Sequence, residues 1–321
     1  MLHGGAGVWS SRPWIRKSIE AIKECTSRCW SKLLEANNAL EAVVEAVRCM
    51  EDSGYLNAGY GSSPNLLGER ELDAGLMTSS GLIGAVAAVK LTKNPVLLAR
   101  LVAELTPHAI IAGEGADRLA LMYGLPQLPP IPQHVMDMYV EALKKVLSGK
   151  PTEYSLRAIK SFLSRNEVYA KLVNALVELH GTVGAVAVDD SGLLAAATST
   201  GGLMLKLPGR VGDTPIPGAG FYASSSIACS ATGVGEFIIR SMPCLRLSLE
   251  YEVAKDAHEA LRHVADYVER VAGPNTMGFI AVDKSGRLMY AYNTEAMLIG
   301  YIKGGEVVVE LRPEPKVAVI I

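Results

Sequence analysis

The 321 residues carry 31 basic against 33 acidic side chains, a net charge of −2, with 49% hydrophobic and 20% charged residues. Such a chain can form one large domain or two modest ones around a sizeable core. Its balanced charge, without a basic stripe or arginine-rich run, excludes nucleic acid and anionic membrane surfaces as implied partners and leaves small, roughly neutral substrates. No uncharged apolar run reaches bilayer-spanning length, and Met1 to Trp9 lacks a basic region followed by an apolar stretch, so a cytoplasmic protein is expected.

In chain order, Ile15, Ile19, Ile22, Trp30, Leu33 and Leu34 fall near helical spacing and predict a helix over about residues 12 to 36. A second helix is predicted from Asn38 to Met50, where Asn38 followed by Glu41 resembles a capping box. The glycine-rich turn Asn57-Ala58-Gly59-Tyr60-Gly61-Ser62 lets backbone approach something closely. Residues 82 to 91 form an apolar strand, and Asn94-Pro95 opens a helix with a cap and a proline at its first position. Prolines from Pro126 to Pro132 then give way to polar, helix-favouring sequence ending in Leu176-Val177-Glu178-Leu179-His180, a natural boundary.

Beyond it, residues 184 to 200 and 278 to 294 look alike. Each has an apolar run, a turn of the form Asp-x-Ser-Gly and a second apolar run, the pattern of a β-hairpin. Residues 234 to 246 and 249 to 272 read as helices between them. The whole predicts an α+β fold in which sheet packs on sheet and helices cover both sides.

The five cysteines, Cys25, Cys29, Cys49, Cys229 and Cys244, are an odd count without disulfide-framework spacing, so reduced thiols are expected. Cys25 and Cys29 sit four apart on the first helix, but no second Cys or His pair completes a metal set; they read as small semi-buried side chains. His3, His108, His134, His180, His258 and His263 form no helical pair with an acidic companion, and no glycine-rich turn ends in Gly-Lys-Ser/Thr. A dense polar set does stand out after residue 181: Thr182, Thr198, Thr200, Arg210, Asp213 and Thr232, threaded among glycines. On pattern alone, these threonines reflect only the ordinary liking of threonine for strands.

The surrounding strings change that. His180-Gly181-Thr182-Val183-Gly184-Ala185-Val186, Ala197-Thr198-Ser199-Thr200-Gly201-Gly202, Pro208-Gly209-Arg210-Val211-Gly212-Asp213 and Gly218-Ala219-Gly220 closely resemble the plant-type L-asparaginase and isoaspartyl peptidase family of N-terminal-nucleophile hydrolases. His3-Gly4-Gly5-Ala6-Gly7, Leu56 to Ser62 and the stretch from Asn94-Pro95 to Ala116 match its first half, so the resemblance covers most of the chain.

The resemblance implies a four-layer αββα sandwich, cut between Gly181 and Thr182 into an α chain (residues 1 to 181, with a linker from about 130) and a β chain (182 to 321), two such units pairing. Thr182 becomes the nucleophile, its freed α-amino group having an ordinary pKa of about 7.7 to 8.0 and serving as its base. Thr200 orients it, while Thr232 and the backbone amide of Gly233 form the oxyanion hole. Arg210 would fork onto a substrate α-carboxylate and Asp213 would take the α-ammonium, which suits L-asparagine and β-aspartyl peptides. Asn57 is placed near the nucleophile and counted with the substrate-binding residues. No catalytic cofactor is implied; a structural sodium ion is, held by backbone carbonyls of the loop from about Met50 to Tyr60.

Three departures accompany this. Only Met1 and Leu2 precede His3, where the family usually has a longer apolar strand, which suggests a late annotated start or a shortened strand. The segment before Thr182 looks helical rather than like an open linker, which would slow maturation. Ser224-Ser225-Ser226 stands where relatives often have acidic and amide residues, in a stretch about one residue short. Two other readings stay open. A glycosylasparaginase would share Gly-Arg-Val-Gly-Asp but normally has Asp in place of Gly181 and a secretory signal. An uncleaved protein with the same fold would bind an amino acid without turnover.

Overall fold

The computed structural model describes all residues except 11, 148–153, 166–180, 314, 315 and 321. In chain order the elements are β1 (Leu2–Gly7), α1 (Ile15–Ala36), α2 (Ala39–Asp52), β2 (Leu72–Thr78), β3 (Ile83–Val89), α3 (Pro95–Leu105), β4 (Ile110–Ala112), α4 (Gly113–Met122), α5 (Gln133–Leu147) and α6 (Tyr154–Ser164). There follow β5 (Thr182–Val188), β6 (Leu194–Thr200), β7 (Phe221–Ala223), β8 (Ile227–Gly233), α7 (Gly235–Ser241), α8 (Pro243–Ala254), α9 (Ala257–Ala272), β9 (Met277–Asp283), β10 (Leu288–Tyr292), β11 (Ala296–Lys303), β12 (Glu306–Pro313) and β13 (Lys316–Ile320).

Both Asp-x-Ser-Gly turns form as read. Asp189 Oδ1 accepts from the backbone of Ser191 and Leu193 and from the Ser191 hydroxyl, and Asp283 Oδ1 does the same with Ser285 and Arg287. Aspartate thereby ties its own turn. The resulting hairpins, β5–β6 and β9–β10, belong to different sheets: an eight-stranded one ordered β12-β11-β1-β5-β6-β2-β3-β4 and a five-stranded one ordered β13-β10-β9-β8-β7. Among the described strand pairings, β3–β4 alone is parallel.

Alternation along the strands sorts side chains between two faces. In β5 and β6, Val183, Ala185, Ala187, Ala195 and Ala197 pack in one cluster with α1, α2 and α3. Val186, Leu194 and Ala196 point the other way, into a core shared with Ala228, Ile280 and Tyr290 of the smaller sheet. That sheet's other face, with Ile227, Cys229 and Ala231, packs under α7, α8 and α9. Helices therefore lie outside each sheet, and the inner faces meet.

Local signals held where the partner lies close in sequence. Asn38 Oδ1 accepts from the amides of Leu40 and Glu41, starting α2, although the Glu41 carboxylate pairs with Arg100 rather than closing the box. Pro95 opens α3, but Asn94 does not cap it. Its amide donates to Glu51 and Asp52, and the Glu51 carboxylate takes the Val96 amide instead. Glu51 is fully buried, and desolvation raises its carboxyl to about 8. The two helices read over 234 to 246 and 249 to 272 are three, because Met242 and Lys255 adopt left-handed conformations with φ of 47° and 57° that end α7 and α8.

The expectation of reduced thiols is overturned. Cys25 pairs with Cys49, and Cys229 with Cys244, leaving Cys29 as a buried free thiol. Packing of α1 on α2 and of α8 on β8 brings residues 24 and 15 apart in sequence to Cα separations of 5.5 and 5.2 Å. Spacing in sequence carries no trace of that. Closing loops of this size is worth about 3 kcal/mol each through the unfolded chain. Among the described residues no helix is long and apolar enough to cross a membrane.

Candidate active site

Thr182 is the first residue of β5 and pairs directly with Thr200, the last residue of β6. Directly opposed strand residues share a face, and this one also carries Val186 and Leu194 toward the smaller sheet. Thr232, near the end of β8, lies on the facing side with Ala228, so the three threonines meet where the inner faces end. Thr182, Thr200 and Thr232 are all buried.

The hydroxyls engage the backbone around the Gly181–Thr182 bond. Thr200 Oγ1 donates to the Gly181 carbonyl at 3.2 Å and accepts from the Gly202 amide at 3.0 Å. Thr232 Oγ1 accepts from the amides of Ala6 and Thr182 at 3.3 and 3.4 Å and donates to the Thr182 carbonyl at 3.4 Å. Gly233 has φ of 143°, and a Cβ there would stand 2.3 Å from the Thr276 carbonyl oxygen, so only glycine fits. Thr198, two residues before Thr200 on the same face of β6, donates to the Thr214 carbonyl instead of to this group.

Gly181, Thr182, Thr200, Gly202, Arg210, Gly212, Asp213, Gly233 and Gly235 line one small pocket. Asp213 is 3% exposed, its Oδ2 has no hydrogen-bond partner among the described residues, and desolvation raises its carboxyl to about 7 against the opposing pull of Arg210. Arg210 does not pair with Asp213. Its Nε and Nη2 fork onto Glu236 at 3.0 and 2.9 Å. Gly235 gives both side chains room, since a Cβ there would lie 2.9 Å from Arg210 Nη2 and 3.0 Å from Asp213 Oδ1.

Asn57 stands behind the pocket rather than in its lining. Its Nδ2 donates to the Gly202 carbonyl at 2.8 Å, its Oδ1 accepts from the Ser63 amide at 2.7 Å, and its carbonyl accepts from the Gly201 amide. The glycine turn thus braces the chain leaving Thr200 through backbone contacts.

Three site-shaping residues escaped the sequence reading. His3 sits fully buried beside Thr182, its pKa lowered to about 3 by desolvation, hence neutral. Nδ1 contacts the Thr182 carbonyl at 3.2 Å and Nε2 the Ser230 hydroxyl at 2.8 Å. A carbonyl can only accept, so Nδ1 carries the proton and Ser230 donates to Nε2. Glu236 holds Arg210. Glu71, 4% exposed, accepts the Gly209 amide with both carboxylate oxygens, anchoring the residue before Arg210. The partners of all three lie far away in sequence, so no local pattern marks them.

In the loop from Met50 to Tyr60, the carbonyls of Gly54, Tyr55 and Tyr60 accept from His134, Ser18 and Arg70. Those of Leu56 and Gly54 converge on Gly61, 2.4 and 2.7 Å from where a Cβ would stand. Among the described residues no group of three or more His, Cys, Asp or Glu could hold a metal ion. His180 and the end of the linker, 166–180, lie outside the described residues.

A family model described as asparaginase matches residues 1–310. The chain is 43% identical over 315 residues to the plant-type L-asparaginase of Pyrobaculum calidifontis, covering 97% of this chain and 99% of that one. It is 38% identical over 306 residues to the plant-type L-asparaginase of Pyrococcus horikoshii, covering 95% and 96% of the two chains. Identity to the isoaspartyl peptidase of Salmonella typhimurium is 38% over 305 residues, 92% of each chain. With the family model spanning nearly its whole length and relatives this similar end to end, the chain belongs to the asparaginase family.

Proposed function

We propose that this chain is a self-cleaving amidohydrolase that converts L-asparagine to L-aspartate and ammonia and opens β-aspartyl peptides. One observation carries the reading: a single pocket contains the Gly181–Thr182 bond together with Arg210 and Asp213. The names of the relatives, asparaginase and isoaspartyl peptidase, supply the substrate class. In this reading the fold is the four-layer αββα sandwich of N-terminal-nucleophile hydrolases, two sheets face to face between helices.

Maturation and turnover use one oxygen. Thr182 Oγ1 attacks the Gly181 carbonyl carbon, whose oxygen is polarised by Thr200; the carbon–nitrogen bond breaks, and an ester to Thr182 remains. Water opens that ester, leaving the Gly181 carboxylate and a free Thr182 α-amine. The amine then takes the hydroxyl proton as Thr182 Oγ1 attacks the substrate's side-chain amide. Thr232 and the Gly233 amide stabilise the oxyanion, where losing one donor typically costs about 3 to 4 kcal/mol. The proton passes to the departing ammonia or amine, and water hydrolyses the aspartyl ester. No cofactor enters these steps.

Asp213 must be ionised to hold an α-ammonium. With its carboxyl raised to about 7, the binding form is gained as pH rises: about one-tenth is ionised at pH 6 and about nine-tenths at pH 8. KM for asparagine is therefore expected to fall about tenfold from pH 6 to pH 8. A KM independent of pH across that range would remove Asp213 from the ammonium site.

The converging carbonyls of Gly54 and Leu56 also suit a hard cation, each retaining a second lone pair. A sodium ion there would stiffen the loop carrying Asn57 and take no chemical part. The melting temperature is expected to be higher in sodium chloride than in choline chloride; equal values would discard the ion. Two cleaved units pair in this reading, so light scattering should give about twice 34.1 kDa. The two disulfides qualify the expected cytoplasmic location: they persist in an oxidising compartment or in the cytoplasm of a heat-adapted cell.

The reading as a whole is tested by steady-state kinetics on L-asparagine and β-Asp-Leu. Turnover of either is expected; release of neither ammonia nor leucine would overturn it.

A further inference from the structure

A guanidinium presents two edges to which a carboxylate can fork, Nε with Nη2 and Nη1 with Nη2. In Arg210 the first is taken by Glu236, with bonds of 3.0 and 2.9 Å. The second has a different setting. A Cβ on Gly212 would stand 2.9 Å from Nη1, and one on Gly235 would stand 2.9 Å from Nη2, and both glycines line the pocket with Arg210. Among the described residues Nη1 has no hydrogen-bond partner. Arg210 is only 16% exposed at its side chain, whereas Glu236 is 41% exposed, so the carboxylate approaches the guanidinium from the solvent side.

We propose that Glu236 is the positioning residue of the α-carboxylate subsite: it grips Arg210 by the Nε–Nη2 edge and so turns the Nη1–Nη2 edge toward the substrate. The proposal rests on the amino-acid pocket described above and adds to it why Arg210 is aimed. Arginine has several rotatable bonds, and a side chain that must be ordered on binding weakens the complex by the entropy lost. Glu236 removes that freedom in advance. Glu236 remains in place when substrate arrives; it is not a lid that the substrate carboxylate displaces.

The test uses full-length Glu236→Ala and Glu236→Gln, with melting temperature and the extent of 181/182 cleavage as checks that each variant folds like the parent. Calorimetry with L-aspartate reads the subsite without turnover. Glu236→Ala should weaken L-aspartate binding and raise KM for L-asparagine at least tenfold with kcat within about threefold. Glu236→Gln, which keeps one acceptor, should fall between. KM for L-asparagine α-amide, which lacks the carboxylate, should be the same in all three proteins. A purely structural role would shift both substrates alike and lower the melting temperature, which would overturn the proposal. Tighter L-aspartate binding in Glu236→Ala would also overturn it, because Glu236 would then be a competitor that substrate displaces. A parent protein that binds L-aspartate yet hydrolyses nothing would sink the proposed activity while leaving this assignment to stand or fall on the binding data.

Discussion

Thr182→Ala is expected to remain one uncut polypeptide and to release no ammonia from asparagine. Losing a covalent nucleophile costs on the order of 10⁶-fold in turnover where the catalytic group acts as a unit. Here the same atom also performs maturation, so both activities should vanish together. The fold should survive. The contacts that hold this strand end, Thr232 with the Thr182 backbone and the register with Thr200, do not use the Thr182 hydroxyl. Thr182→Ser should keep both activities at reduced rate. An alanine variant that still hydrolysed asparagine would mean another residue is the nucleophile.

Arg210→Ala should cut itself normally and then fail to turn over. Nothing in the cleavage step touches the guanidinium, which lies across the pocket forked onto Glu236. Substrate, by contrast, loses its carboxylate partner, and removing one member of a hydrogen-bonded charge pair costs about 2 to 5 kcal/mol. A second effect acts in the same direction. Arg210 opposes the upward shift of the Asp213 carboxyl, so its loss leaves Asp213 more protonated at neutral pH and poorer at holding an ammonium. A fall in kcat/KM of roughly 30- to 5,000-fold follows from the first effect alone. A variant that stays uncut would make Arg210 a structural residue of the precursor.

How much of this was legible in the sequence depended on distance along the chain. The β5–β6 hairpin announced itself because Asp189, Ser191 and Gly192 build the turn from their own atoms. Asn38 did the same for α2. Thr182, Thr200, Arg210 and Asp213 were named from motifs, and the pocket does gather them. What stayed hidden depended on packing. The β7–β8 hairpin lies around Ser224-Ser225-Ser226, where no alternating pattern marks it; the Ser224 hydroxyl accepts from Ser226 and Ile227 and ties the turn. The ends of α7 and α8 fall at Met242 and Lys255, non-glycine residues in left-handed conformations that no composition rule singles out. The disulfides, the His3–Ser230 contact and the Glu71 anchor each join residues that only the finished fold brings together. Asn57 shows a milder form of the same limit. Its place near the nucleophile was readable, but its contacts with Gly201, Gly202 and Ser63 were not.

The central claim is that the Gly181–Thr182 bond is cut by the chain itself, and intact mass analysis of purified protein after prolonged incubation tests it directly. The account expects two species, residues 1–181 and 182–321, the second with an N-terminus reading Thr182-Val183-Gly184. A single persistent species of 34.1 kDa would contradict it.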